Sequence, residues 1–348
     1  MSDTTAVVLT IGEETTQRAI DSVKRQTLPL EEIIIIKNIT PFHRALNLGA
    51  SKVKTDFFVQ IDSDMILDEN CLGDLEKCMA KSVGIAAGRL RDPLIGRISS
   101  IKMFRKKCFE EVQFKNSISQ DTDFVNDISR YGWKTVCALR FDAKCNKNLW
   151  HTLGEHRPNY TPLYTFSKYI LEGRRYRYRK ALGGMLSRLV RLKNSAHEMA
   201  PIAQIAMCHG IFIKEETDML KPFTENEDVN FLERFLKSSG NYNVNKFTPL
   251  NLFSLTSKAV FKEYYKLGIN IRKADASPAF KSYLDLLNKF NDDFTLVAKI
   301  GLCHGLFSAN YSEEVFENDY AVLKELIPEY YWLTLSRKKF KGLKKLLT

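Results

Sequence analysis

Two carboxylates stand one residue apart at the end of an apolar run: Phe57-Phe58-Val59-Gln60-Ile61 leads directly into Asp62-Ser63-Asp64. Such a run is β-prone. Charge delivered to the end of a buried strand is expensive unless a cation or a polar ligand answers it. Two aspartates alternating with a serine form a hard-oxygen site that suits Mg²⁺ or Mn²⁺ carrying a diphosphate. The same tripeptide also caps ordinary turns, so its weight comes from what flanks it. Further on, Asp121 and Asp123 open a helical pattern, where the positive end of the helix dipole favours a carboxylate whatever its task. His151 and His156 follow in Trp150-His151-Thr152-Leu153-Gly154-Glu155-His156.

The elements that must position these residues can be read from apolar patterning. Ala6 to Ile11 and Glu32 to Lys37 are short, continuous, branched runs of the kind that form buried parallel strands. Phe57 to Ile61 is the third. Glu14 to Gln26 has helical spacing, with Ala19, Ile20 and Val23 on one face. Pro41 to Val53 is predicted as a second helix, with Thr40 as its N-cap and Pro41 at its first position. Strands alternating with helices imply βαβ units, a parallel sheet, and ligands bound beyond the carboxyl ends of the strands. Thr10, Asn38 and Asp62 all fall at such ends. Leu72 to Ala80 and Asp121 to Tyr131 read as helices. Val83 to Gly88, Ile101 to Phe104 and Lys134 to Ala138 read as strands, and the α/β pattern fades near Trp150.

Beyond about residue 160 the chain reads as mostly helical. Ile205-Ala-Met-Cys-His-Gly-Ile-Phe212 is matched by Ile300-Gly-Leu-Cys-His-Gly-Leu-Phe307, which predicts a duplicated helical unit. Cys208/His209 and Cys303/His304 are poor zinc ligands, because neighbouring helical residues point about 100° apart. Helix packing is the better reading of both pairs. The expected organisation is residues 1–158 as an α/β domain, 159–195 as a basic helical connector, and 196–348 as a helical domain.

The 348 residues carry a net charge of +11, and 44% of them are hydrophobic. No apolar run approaches the ~20 residues needed to span a bilayer. Seven scattered cysteines without paired spacing, and no signal peptide at the start of the sequence, predict a reduced, cytoplasmic setting. The charge is uneven. Lys168 to Lys193 holds nine Lys/Arg against one Glu, and the last fifteen residues hold six against none. Interleaved with Tyr and Leu, residues 168–193 and 334–348 suit an anionic membrane surface, which would make the protein peripheral on a cytoplasmic face. A solvated helical face is the plainer reading, and nucleic acid is not expected as a partner.

Five segments, taken in order, resemble a family-2-type glycosyltransferase of the GT-A fold, over roughly residues 5–140. They are Val7-Val8-Leu9-Thr10; Ala19-Ile20-Asp21-Ser22-Val23 with Gln26-Thr27; Ala45-Leu46-Asn47-Leu48-Gly49 followed by Asp56-Phe57-Phe58; Asp62-Ser63-Asp64; and Met103-Phe104-Arg105-Lys106 with Gln120-Asp121-Thr122-Asp123-Phe124 closing in Arg130-Tyr131-Gly132-Trp133. The family usually has a tyrosine where Ile11 stands, an aspartate where Asn38 stands, and Glu-Asp where this chain has Gln120-Asp121.

The resemblance implies an α/β fold: a Rossmann-like, mainly parallel sheet flanked by helices, followed here by a mostly α-helical C-terminal domain. It implies a hexosyltransferase-type enzyme that moves a sugar from a nucleoside-diphosphate-sugar to a hydroxyl of a glycan or lipid-linked acceptor, as in polysaccharide biosynthesis, with inversion. Thr10, Glu13, Asn38, Arg44 and Asp62 would bind the donor. Asp62 and Asp64 would hold Mn²⁺ or Mg²⁺, with His151 favoured over His156 as a further ligand; a solvated loop histidine is the other reading of each. Asp121 would be the general base and Asp123 its competitor. A nucleotidyltransferase sharing such a site is one rival, although Gly12-Glu13-Glu14 offers no glycine-rich phosphate loop. A non-catalytic scaffold with a degenerate domain is the other.

Overall fold

The computed structural model describes residues 3–138, 140–142, 147–149, 151–213, 257–289, 293–308 and 310–326, together with 232, 234 and 237. The chain divides into two compact units, Met1–Asn159 and Tyr160–Thr348.

The first unit is built on a mixed eight-stranded sheet. Its strands are β1 (Thr4–Thr10), β2 (Glu32–Lys37), β3 (Phe57–Asp62), β4 (Met65–Leu67), β5 (Val83–Asp92), β6 (Gly96–Arg105), β7 (Lys134–Cys137) and β10 (Thr152–His156), while β8 (Arg140–Asp142) and β9 (Lys147–Leu149) form a separate ribbon. Along the sheet the order is β2-β1-β3-β6-β5-β10-β4, and β7 also pairs with β5. Strands β2, β1 and β3 are mutually parallel, β6 runs antiparallel between β3 and β5, and β5 is parallel to β7 and β10.

Alternation along the strands feeds two cores. Ala6, Val8, Val59 and Ile61 pack on one face with Ala19, Ile20 and Val23 of α1 (Thr16–Lys24) and with Leu72 and Leu75 of α3 (Cys71–Glu76). Val7, Leu9 and Phe58 pack on the other with Ala45, Leu46 and Ala50 of α2 (Phe42–Lys52), Phe109 of α4 (Lys107–Glu111), and Phe124 and Ile128 of α5 (Gln120–Arg130). Helices thus cover both faces, as parallel pairing requires.

The sequence expectations are met in kind and shifted at the edges. Helix α2 begins one residue late: Pro41 is extended and serves as the N-cap, and its carbonyl accepts from Arg44 at 2.9 Å. Strand β10 lies past the point where the α/β pattern fades. Its Gly154 sits at φ 147°, and a Cβ there would run into the Ile66 carbonyl of β4. A five-residue strand containing glycine, glutamate and histidine shows no apolar alternation, which is why the sequence does not announce it.

The regular elements among the second unit's described residues are helices: α6 (Pro162–Tyr178), α7 (Leu182–Lys193), α8 (Ala200–Gly210), α9 (Ser257–Lys273), α10 (Ser277–Asn288), α11 (Asp293–Gly305) and α12 (Glu313–Leu326). Thr161 caps α6 by accepting from the Tyr164 N–H, with Pro162 following it. In the basic segment 168–193, Tyr169, Ile170, Met185 and Leu189 are buried, while Tyr178 and Val190 are exposed. The segment 334–348 lies outside the described residues. No described helix is long and apolar enough to cross a membrane.

Candidate active site

The site begins with what holds the Asp62-Ser63-Asp64 turn in place. Helix α1 and the two residues after its C-cap do this. Ser22, fully buried, donates to the Ala19 carbonyl and accepts from the Leu67 N–H at 3.0 Å. Gln26 donates to the Asp68 carbonyl at 2.8 Å and accepts from the Leu72 N–H at 3.0 Å. Thr27 pairs with the Glu69 carbonyl through its N–H at 2.8 Å. The chain leaving Asp64 is therefore clamped over residues 67–72.

On the β1 side, Gly12 at φ 100° turns the chain so that Glu13 folds back. Glu13 accepts from the Thr10 hydroxyl at 2.8 Å and from the Ile11 N–H at 3.0 Å. Burial pushes its carboxyl up, but hydrogen bonds from its own backbone, Thr10, Ser63 and Ile11 outweigh that and hold it below the usual glutamate range. The bond to Ser63 ties the loop after β1 to the loop after β3. The Asn38 N–H donates to the Thr10 carbonyl at 2.9 Å, and Asn38 itself takes φ 59°. Thr10, Asn38 and Asp62 thus end three adjacent parallel strands, the place where α/β sheets bind ligands. Ile11 stands out beside them, 63% exposed.

Asp62 is the electrostatic centre. Its carboxyl is pushed up to about 6, first by desolvation and then by the charge of Asp64, with Asp121 adding to the rise; a hydrogen bond from Gln60 and the charge of Lys102 oppose it. Gln60 donates to Asp62 Oδ1 at 2.9 Å. Three carboxylates therefore share one field.

The histidine that reaches them is His156. Its Nε2 lies 3.1 Å from Asp64 Oδ2, and its Nδ1 lies 2.7 Å from Asp92 Oδ2. Asp92 is buried and turns the chain after β5, accepting from the Leu94 and Ile95 N–H groups at 2.8 and 2.9 Å. Asp64 is thus fixed from behind by a ring that is itself fixed by a buried carboxylate.

Asp121 opens α5 with its side chain 52% exposed, and it accepts from Lys102 Nζ at 2.9 Å. What aims this helix is a packed aromatic group. Phe124 stacks on Phe114 at 4.3 Å between centroids and packs on Phe109 and Phe104. Asn47 of α2 clamps the lead-in, donating to the Phe114 carbonyl at 2.9 Å and accepting from its N–H at 3.0 Å. Asp123 is engaged within its own turn by the Ser117 hydroxyl.

The structure therefore brings Thr10, Glu13, Asp62, Asp64 and Asp121 into one region. Arg44 is exposed on the first turn of α2, and no contact among the described residues links Arg44 or His151 to the aspartates. Lys102, Gln60, Ser63 and Asp92 are additions to the sequence reading. Lys102 had a signal: a cation inside the apolar run Ile101–Phe104. Asp92 had the Asp-Pro turn that follows it.

Among the described residues, no group of three or more His, Cys, Asp or Glu is arranged to hold a metal ion alone. Asp62 and Asp64 nonetheless fit a cation that arrives with its substrate, since Mg²⁺-type ions take one or two carboxylates and complete their shell with phosphate and water. The mutual repulsion that raises Asp62 is what such a cation relieves.

No family model and no curated protein matches the sequence. Several solved structures are similar at low identity. A mannosyltransferase, PcManGT from Pyrobaculum calidifontis, in complex with GDP-Man and Mn²⁺, is 11% identical with a TM-score of 0.41 over 86% of each chain. TarS 1-349 from S. aureus is 11% identical with a TM-score of 0.32, over 87% of this chain and 90% of that one. A protein assigned as a glucose-1-phosphate thymidylyltransferase, from Bacillus anthracis, is 14% identical with a TM-score of 0.31, over 44% of this chain and 91% of that one. Every one of these scores is below 0.5, so the functional reading rests on the site.

Proposed function

We propose that the first unit is a glycosyltransferase of the GT-A, family-2-like kind, moving a sugar from a nucleoside-diphosphate-sugar to an acceptor hydroxyl. The observation that carries this is the grouping of Asp62, Asp64 and Asp121 around Lys102 at the carboxyl ends of β1 and β3. The motif segments at their expected places support it. Thr10, Glu13 and Asn38 line the donor end, with Ile11 as an apolar ledge for the base. Asp62 and Asp64 would hold Mn²⁺ or Mg²⁺ arriving with the donor. When bound, that ion neutralises the charge of the leaving group.

Asp121 takes the proton of the acceptor hydroxyl as it attacks the anomeric carbon. One base on the face opposite the leaving group implies inversion. The Lys102 ion pair, held from β6, orients the Asp121 carboxylate. His156 and Asp92 position Asp64. A glycan or lipid-linked acceptor remains the proposed partner. With Tyr169, Ile170, Met185 and Leu189 buried, attraction of segment 168–193 to an anionic membrane surface rests mainly on its lysines and arginines, with Tyr178 and Val190 as exposed apolar side chains.

The test is a thermal-shift screen of nucleotide-sugars with and without Mn²⁺, since a bound ligand stabilises by mass action. The right donor raises Tm only with the metal present, and Asp64→Ala abolishes that rise. Release of free nucleoside diphosphate marks a glycosyltransferase. Pyrophosphate would mark the nucleotidyltransferase rival, and no binding by any donor the scaffold.

A further inference from the structure

We infer that the second unit is a tandem duplication of one three-helix segment, its two copies 95 residues apart and docked about an internal two-fold axis between His209 and His304. The interaction surface is the face of α8 and α11, and its partner is the other copy of itself, supplied by the same chain.

The duplication reaches far beyond the Cys-His-Gly match. Shifted by 95, helix α6 (Pro162–Tyr178) falls on α9 (Ser257–Lys273), α7 (Leu182–Lys193) on α10 (Ser277–Asn288), and the end of α8 at Gly210 on the end of α11 at Gly305. The turn between the first two helices repeats atom by atom. Lys180 takes φ 49° and Asp275 φ 48°. The bonds Lys180 N–H to Arg177 carbonyl and Ala181 N–H to Tyr176 carbonyl recur as Asp275 to Arg272 and Ala276 to Ile271. A left-handed backbone at a lysine and at an aspartate is uncommon, so its recurrence at matched positions is not explained by composition.

Packing within each copy repeats as well. A Cβ on Gly173 would run into the Met207 carbonyl, and one on Gly268 into the Leu302 carbonyl; a Cβ on Gly210 would run into the Ile170 carbonyl, and one on Gly305 into the Tyr265 carbonyl. Both copies therefore cross their outer helices through the same pair of glycines.

Contacts between the copies are reciprocal, and this distinguishes a two-fold from a stack. His209 packs on Phe307 at 4.4 Å and Phe212 on His304 at 3.9 Å. Phe166 meets Phe307 at 5.2 Å and Phe212 meets Phe261 at 5.8 Å. On the axis each residue meets its own counterpart: His209 Nδ1 lies 2.8 Å from His304 Nδ1, and the Cys208 thiol is hydrogen-bonded to that of Cys303. Residue i touching j while j touches i is the signature of an isologous interface. Copies stacked by translation would repeat one contact in one direction only.

Spin-label distances in the full chain test this. Thiols other than those of the buried Cys71, Cys108, Cys208 and Cys303 are first removed by Cys78→Ser, Cys137→Ser and Cys145→Ser, and unlabelled protein in excess keeps the distances within one chain. One doubly labelled variant carries Arg179→Cys with Lys289→Cys, the other Asn194→Cys with Ala274→Cys; all four positions are exposed. A two-fold axis makes the two distance distributions superimpose. Separate maxima would overturn the proposal in favour of a translational stack, and loss of the distances on dilution with unlabelled protein would overturn pairing within one chain. Should either variant fail to fold, Ser187→Cys with Lys273→Cys and Tyr178→Cys with Ser282→Cys form a second matched set.

Discussion

Asp62 makes the sharpest claim at the scale of the residue. Its carboxyl is raised from 3.8 to about 6 in the folded chain, so between those values the native state holds more protons than the unfolded one. Stability then falls as pH rises through that window. Urea unfolding followed from pH 4 to pH 7 without divalent metal checks the sign, and Asp62→Asn should flatten the profile. Lys102 opposes the rise. Lys102→Met should move the Asp62 titration, followed by carboxyl carbon NMR, above its wild-type midpoint. Much of this was legible in the sequence, because two aspartates after a β-prone run with four apolar residues are conspicuous. The histidine was not. His156 and His151 look alike in a polar stretch, and only the pairing of β10 with β4 and β5 decides which of them reaches Asp64.

Elements explain why motif residues far from the chemistry stand where they do. Ser22, Gln26 and Asn47 touch no donor or acceptor group in the proposed reaction; they bind the backbones of Leu67, Leu72 and Phe114. Ser22→Ala leaves the buried Leu67 N–H without its acceptor and should cost about 1–3 kcal/mol in chemical unfolding. Asn47→Ala should cost a similar amount and also loosen the lead-in to α5, so that amide exchange of residues 112–119 quickens while that of β1 does not. The strands and helices of this unit were legible because apolar runs and amphipathic spacing survive without tertiary context. The short strand β10 was not, because Gly154 is placed against Ile66 and Leu67, partners distant in sequence.

Across the whole molecule, the repeat was visible as eight matched residues, while its full extent was hidden. Side chains have drifted between the copies, and what persisted are glycine contacts and a turn geometry that sequence patterning does not encode. Gly210→Ala and Gly305→Ala are therefore expected to lower Tm alike, each by several degrees, since each drives a methyl into a carbonyl of the crossing helix. The axis itself holds a tie that one neighbour breaks. Two identical Nδ1 atoms cannot both donate. His304 Nε2 lies 3.0 Å from Asp319 Oδ2 and donates there, so with one proton on each ring His304 accepts at Nδ1 and His209 donates. Burial first, and His304 second, hold His209 well below 6.5, which keeps that ring neutral. Nitrogen-15 shifts should show opposite tautomers in the two rings.

That single aspartate shows what joining two copies in one chain permits. In a pair of separate identical subunits every substitution is made twice and meets its own image. Here Asp319 bears on one imidazole alone, and the position 95 residues earlier is a threonine. Gln204 likewise faces the fate of a buried amide while its counterpart Lys299 donates to Asn288 at 2.7 Å. Each half is free to change by itself, so an arrangement that began with two equivalent faces can come to have a left and a right.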